Sequence, residues 1–290
     1  MFESSNGILR NPRTSPWPPH VLLYSRISQN YILLVFFSTS TPSPNSWERA
    51  GGSRFLLLRK LKLNSMADKA YPPSSLFDLT GLEELAIFCI DPTNYLADLM
   101  DHSTPLQLKS LKVRKPLQGG DNPCSITVME KLLKLSADSL ENLSLDAAFG
   151  EQQNQGLDMF RRLPSFPALN SLVLWLSPAL APGPGAATLI NAWPSAPNVT
   201  EITFRIQFWD DGAGSVEEEM ETFHDIMEKR VVWKSVVKDL LMKFPRFQKL
   251  IFYFSAPELS EFHWEPSLRL ILEDIVREKI PDAGDRLSFQ

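Results

Sequence analysis

Leu140-Glu-Asn-Leu143-Ser-Leu145 spaces three leucines in a way that neither a helix nor a plain strand produces. The last two lie two residues apart and leave a short strand on the same side, while the first joins it one position out of phase, through a bend. Six other stretches repeat the pattern: Leu58-Arg-Lys-Leu61-Lys-Leu63, Leu82-Glu-Glu-Leu85-Ala-Ile87, Leu108-Lys-Ser-Leu111-Lys-Val113, Leu169-Asn-Ser-Leu172-Val-Leu174, Val199-Thr-Glu-Ile202-Thr-Phe204 and Phe247-Gln-Lys-Leu250-Ile-Phe252. Their middle apolar residues stand 24, 26, 32, 29, 30 and 48 positions apart. One such unit cannot hide its leucines. Neighbouring units therefore stack their strands in parallel and share a core, each buried Leu or Ile contributing roughly 1.5–3 kcal/mol.

Parallel strands need return segments, and the stretches between copies carry helical spacing. Ile126, Met129 and Leu133 show it, as do Leu157 with Phe160, and Leu189 or Ile190 with Trp193. Pro164, Pro194 and Pro245 then stop each helix a few residues before a strand. Phe166-Pro-Ala-Leu169 and Phe244-Pro-Arg-Phe247 repeat that junction. The 48-residue step holds an insertion at about 210–244, opened by Asp210-Asp-Gly-Ala-Gly214, whose helical stripe includes Phe223, Met227, Val237 and Leu241. A final stripe of Leu268, Ile271, Leu272 and Ile275 stops at Pro281, as a terminal cap of a stacked array would.

The expected fold is α/β, a curved parallel sheet with helical returns and irregular repeats over residues 51–258, followed by a capping helix and tail at 259–290. Residues 1–50 stand apart, with Pro12, Pro16, Pro18, Pro19, Pro42 and Pro44 among serines and threonines. They read as a poorly ordered arm or a capping strand. Their one apolar run, Tyr31 to Phe37, spans seven residues against the roughly 20 a membrane helix needs. It also lies too far from the start for a secretory signal.

With 43% hydrophobic and 22% charged residues and a net charge of −5, the chain is an ordinary globular sequence without the clustered positive charge that nucleic acid demands. Cys89 and Cys124 fit no disulfide scaffold, zinc or redox spacing, so a cytoplasmic or nuclear setting is expected. Gly183-Pro-Gly185 lacks the Lys-Ser/Thr of a phosphate loop, and no Gly-x-Ser-x-Gly elbow occurs. Glu221-Thr-Phe-His224 has metal-ligand spacing but no second copy, and reads as a solvated helix face. The glycosylation triplets at Asn142 and Asn198 overlap strand starts and read as accidental. No catalytic, cofactor or metal residue is assigned, and the expected class is not an enzyme.

Over about residues 55–255 these repeats resemble those of leucine-rich-repeat proteins, specifically the irregular solenoids of fungal F-box-like proteins, whose returns are helical. The position that would hold an Asn or Cys ladder is here Met66, Ile90, Pro116, Ala148, Ser177 or Gln207, and no F-box signature is found. The resemblance implies a protein-recognition module, the substrate-binding part of a ubiquitin-ligase adaptor, with a Skp1-type adaptor as second partner if an F-box belongs to the full product. The alternative is a leucine-rich-repeat ligand sensor or scaffold with no ubiquitin link. Either would use the strand positions that alternate with the core, which line a concave face. Lys60, Lys62, Phe88, Lys112, Arg114, Trp175, Arg205 and Tyr253 are the candidate partner-binding residues there, since Arg and aromatic side chains are the usual interface anchors. No nucleic acid or membrane partner is expected.

Overall fold

The structure, a computed structural model, describes residues 21–26, 31–36, 59–64, 81–88, 106–113, 123–146, 153–176, 190–207, 233–255 and 266–290, with the single positions 218, 221, 223, 224 and 227. The chain divides into two units, Met1–Ser136 and Ala137–Gln290.

In the first unit the strands are β1 (Val21–Arg26), β2 (Tyr31–Phe36), β3 (Lys60–Asn64), β4 (Glu84–Phe88) and β5 (Ser110–Val113), followed by helix α1 (Pro123–Ser136). β1 and β2 form an antiparallel hairpin, and β2, β3, β4 and β5 pair in parallel in chain order. Leu61, Leu85 and Leu111 stand in one register and are buried, as are Ile87 and Val113 in the next. β4 and β5 thus bury alternate residues, the period of a pleated chain. Ser136, the buried last residue of α1, donates its hydroxyl to the Leu132 carbonyl at 2.8 Å, which satisfies a polar group the core would otherwise strand.

The second unit contains β6 (Asn142–Asp146), α2 (Gln153–Arg162), β7 (Ser171–Leu176), β8 (Glu201–Gln207), α3 (Trp233–Lys243), β9 (Lys249–Ser255), α4 (Pro266–Lys279) and β10 (Leu287–Phe289). Its strands pair in parallel in chain order, β6 to β10. Leu143, Leu172, Ile202 and Leu250 form one buried row, and Leu145, Leu174, Phe204 and Phe252 the next. That second row turns aromatic toward the end of the chain, with Phe204 and Phe252 rings 5.5 Å apart and Phe252 and Phe289 rings 6.3 Å apart. Both units are therefore α/β, built on parallel strands with helices between or beside them.

One backbone device explains why the six-residue pattern repeats. The carbonyl of its first variable residue accepts from the N–H groups of the first and second variable residues of the following copy. Arg59 does so from Glu83 and Glu84, and Glu83 from Lys109 and Ser110; in the second unit Glu141, Asn170 and Thr200 serve Asn170 and Ser171, Thr200 and Glu201, and Gln248 and Lys249. Because only main-chain atoms take part, these positions vary freely. This backbone ladder aligns the strand starts through main-chain groups alone.

The proline junctions are β-turns. Leu169 N–H reaches the Phe166 carbonyl, and Phe247 N–H the Phe244 carbonyl, across Pro167 and Pro245 at the position where a fixed φ is favoured. Ala196-Pro-Asn-Val199 makes the same turn with a smaller first residue in place of Phe. Phe166, Ala196 and Phe244 are all buried. Asn198, within one glycosylation triplet, donates its side-chain amide to the Pro167 carbonyl at 2.6 Å, tying one junction to the one before it.

Of the expected helical stripes, Phe223, Met227, Val237 and Leu272 are buried, and the burial shifts to a neighbouring position at Leu241 and at Ile275. In α3 the buried residues are Val237 and Leu240, continued by Phe244, while Leu241 is 39% exposed. In α4, Leu272 and Val276 are buried and Ile271 is half exposed. A spacing of i, i+3, i+7 and one of i, i+4 fit a helix equally well, and a pair of adjacent apolar residues leaves the choice to packing. No helix among the described residues is long and apolar enough to cross a membrane.

Candidate functional site: the outward strand face

The residues that alternate with the core fall into registered rows. In the first unit, Lys60, Glu84 and Ser110 form one row and Lys62, Ala86 and Lys112 the next. Lys60 forms an ion pair with Glu84 on the adjacent strand, and Glu83 lies 3.6 Å from Arg59 and 3.7 Å from Lys109 at the strand starts. Lys62 and Lys112 are partly exposed on either side of Ala86, two strand spacings apart, about 9.6 Å. Phe88 closes β4, in register with Asn64. Arg114 lies outside the described residues.

In the second unit the first row is Asn142, Ser171, Glu201 and Lys249, so Glu201 and Lys249 place opposite charges side by side. The middle row is Ser144, Val173, Thr203, Ile251 and Ser288. Two of its members are closed to water despite facing away from the leucine core: Thr203 is 9% exposed and Ile251 only 1%.

The third row is Asp146, Trp175, Arg205 and Tyr253. Here the structure brings together three candidates that lie up to 78 positions apart in the chain, because each occupies the fifth position of its own strand. The Arg205 guanidinium carbon sits 4.0 Å from the Trp175 ring centroid and 4.3 Å from that of Tyr253. Both distances are inside the roughly 6 Å over which a cation is held by a ring face. Trp175 is itself fixed, 6% exposed and donating its indole N–H to the Ser144 hydroxyl at 2.7 Å.

Ser144 is not one of the candidate partner-binding residues, and its role follows from lying diagonally across from Trp175 on adjacent strands. A sequence signal exists once register is assigned: the two positions are neighbours in the stacked repeats. Trp175 is the candidate whose environment differs most from a solvent-facing expectation, since it is a buried wall and not an exposed anchor.

The metal-spaced pair Glu221 and His224 is exposed on helical residues, and among the described residues no group of three His, Cys, Asp or Glu side chains could hold an ion. No protein-family model matches the chain, and no curated protein matches it.

Proposed function

We propose that the chain is a non-enzymatic protein-recognition module, an irregular leucine-rich-repeat solenoid that binds its partner through the outward strand face. The observation that carries this reading is the third row, where Arg205 and Tyr253, side chains of the types that dominate interface energetics, are preassembled across adjacent strands beside the buried wall of Trp175. Holding them in place before binding reduces the ordering cost that usually consumes much of an interface's energy. Within this class, the repeats are read as the substrate-binding part of an F-box-like ubiquitin-ligase adaptor working in the cytoplasm or nucleus, with a Skp1-type adaptor as its second partner.

A photo-cross-linking amino acid at Val173, which lies on this face and is partly exposed, tests the reading against one at Met242, 67% exposed on α3. Cross-links to one protein from Val173 and not from Met242 are expected. Equal labelling from both sites removes the face from consideration. Recovery of a Skp1-type adaptor with the full chain separates the ligase role from a scaffold with no ubiquitin link.

A further inference from the structure

We propose that the helical side of the second unit is a self-association surface, on which α3 of one copy packs against α4 of a second copy about a two-fold axis. Among the described residues the exposed large apolar side chains are Leu241, Met242, Leu270 and Ile271, and all four fall on these two helices. Met242 is 67% exposed, Leu270 57% and Ile271 50%. Single apolar residues scattered over a surface need no explanation, but a pair on each of two neighbouring helices does. The helices are neighbours because each returns the chain between parallel strands, α3 from β8 to β9 and α4 from β9 to β10. They therefore run in the same direction, and α3 packs against Pro281–Arg286, the turn that follows α4. Arg277 of α4 lies over Phe289, which packs on Phe252 of the buried row, so this layer covers the core side of the sheet and not the outward strand face.

Charge selects both the occupant and its orientation. Beside the apolar pair of α3 stand Lys238 and Arg246, both exposed. Beyond the pair on α4 stand Asp274 and Glu278, whose side chains are 77% and 73% exposed, while Arg269 and Arg277 turn to the buried carboxylate of Glu273. Asp274 also lies 3.3 Å from Arg277, and its exposure leaves room for a second cation. A cationic apolar face on α3 and an anionic apolar face on α4 make the layer complementary to a second copy of itself. Two helices running side by side can meet their own copy about either of two axes. An axis across the helices sets α3 on α3 and α4 on α4, which brings like charges together. An axis along them sets α3 on α4 of the second copy. Asp274 lies one helical turn beyond Leu270, and Arg246 an equal four residues beyond Met242, at the turn that ends α3. Seating Met242 on Leu270 therefore brings Arg246 to Asp274, twice by symmetry. Burial of the apolar side chains supplies the attraction, and the charge pairs set the register. In such a dimer the outward strand faces of the two second units point away from one another, which makes the molecule bivalent.

The test is analytical ultracentrifugation of the full chain. Wild type is expected to sediment as a dimer whose fraction rises with concentration, and a monomer at about 100 μM overturns the proposal. Met242→Lys and Ile271→Lys, both at exposed positions, are each expected to weaken the dimer at least about tenfold. An unchanged dimer in both variants overturns it. Charge reversal tests the orientation. Asp274→Arg alone and Arg246→Asp alone are expected to weaken association, because each sets like charges opposite one another. An equimolar mixture of those two variants is expected to restore the dimer, since every contact in the mixed pair again joins Arg to Asp. A mixture as weakly associated as its separate components overturns the pairing of α3 with α4. Thermal melts within a few degrees of wild type keep these comparisons free of unfolding. The cross-linking amino acid at Met242 is expected to yield a covalent dimer of the chain itself, a product distinct from the partner protein captured at Val173. The two readings therefore fail separately: loss of the dimer leaves the strand face standing, and failure of Val173 to capture a partner leaves the dimer standing.

Discussion

The two units use the same strand pattern and bury the same kind of leucine row, yet they treat the opposite face in different ways. In the first, that face is polar and partly exposed: Lys60 beside Glu84, then Lys62 and Lys112 around Ala86. In the second, Thr203, Ile251 and Trp175 are closed to water on the same side of the sheet, and Arg205 is held between two rings. A strand buried on one side tolerates almost any outward residue, because solvent accepts the exchange. One buried on both sides does not, because each outward side chain then has a shape and a partner to satisfy. Position in the repeat is therefore a poor guide to tolerance.

The sharpest way to break this contrast is Trp175→Ala. Truncating a buried Trp is expected to cost about 3–5 kcal/mol, measured by urea unfolding, through lost packing and a residual cavity. A cost under about 1 kcal/mol would make Trp175 a surface residue and erase the difference between the units. The same variant is a poor probe of binding for that reason, and Arg205 is the better one.

Ile251→Ala comes next, at about 2–5 kcal/mol, against less than about 0.5 kcal/mol for Lys62→Ala or Lys112→Ala at equivalent positions of the first unit. Comparable losses at all three sites would show the two faces to be alike. Ser144→Ala removes the acceptor of the Trp175 indole N–H and is expected to cost about 1–3 kcal/mol, since a buried donor is left unmatched. Adding Trp175→Phe to Ser144→Ala should then have an effect smaller than the sum of the single changes, and strict additivity would deny the coupling.

The smallest effect is expected at Lys60. Its ion pair with Glu84 is partly solvent-exposed, so Lys60→Ala should change stability by less than about 1 kcal/mol and the change should shrink in high salt. A larger, salt-insensitive loss would mean that this pair is buried in solution, and that the first unit resembles the second.

How legible each feature was depends on the range of the interaction behind it. The seven strands from Leu61 to Phe252 are visible because the pattern Leu-x-x-Leu-x-Leu is set within six residues by the pleat and one bend. The Phe-Pro turns are visible for the same reason, whereas Ala196-Pro-Asn-Val199 lacks the Phe that marks the other two. Helix faces were less legible: Leu240 and Leu241, or Ile271 and Leu272, offer adjacent apolar residues, and only the surface they pack against selects one. The backbone ladder from Arg59, Glu83, Glu141, Asn170 and Thr200 has no signature in residue type at all, since it is made of main-chain groups.

The amino-acid order alone determined the alternation of buried and outward positions, the parallel stacking and the places where helices stop, because pleat period, helix period and the restricted φ of proline act over a few residues. Only the tertiary structure decided that Trp175, Arg205 and Tyr253 meet, that Ser144 anchors the stack, and that Ile251 is enclosed on a face where lysines elsewhere meet water. Those outcomes depend on the register between strands tens of residues apart, and register is settled by the packing of whole rows at once.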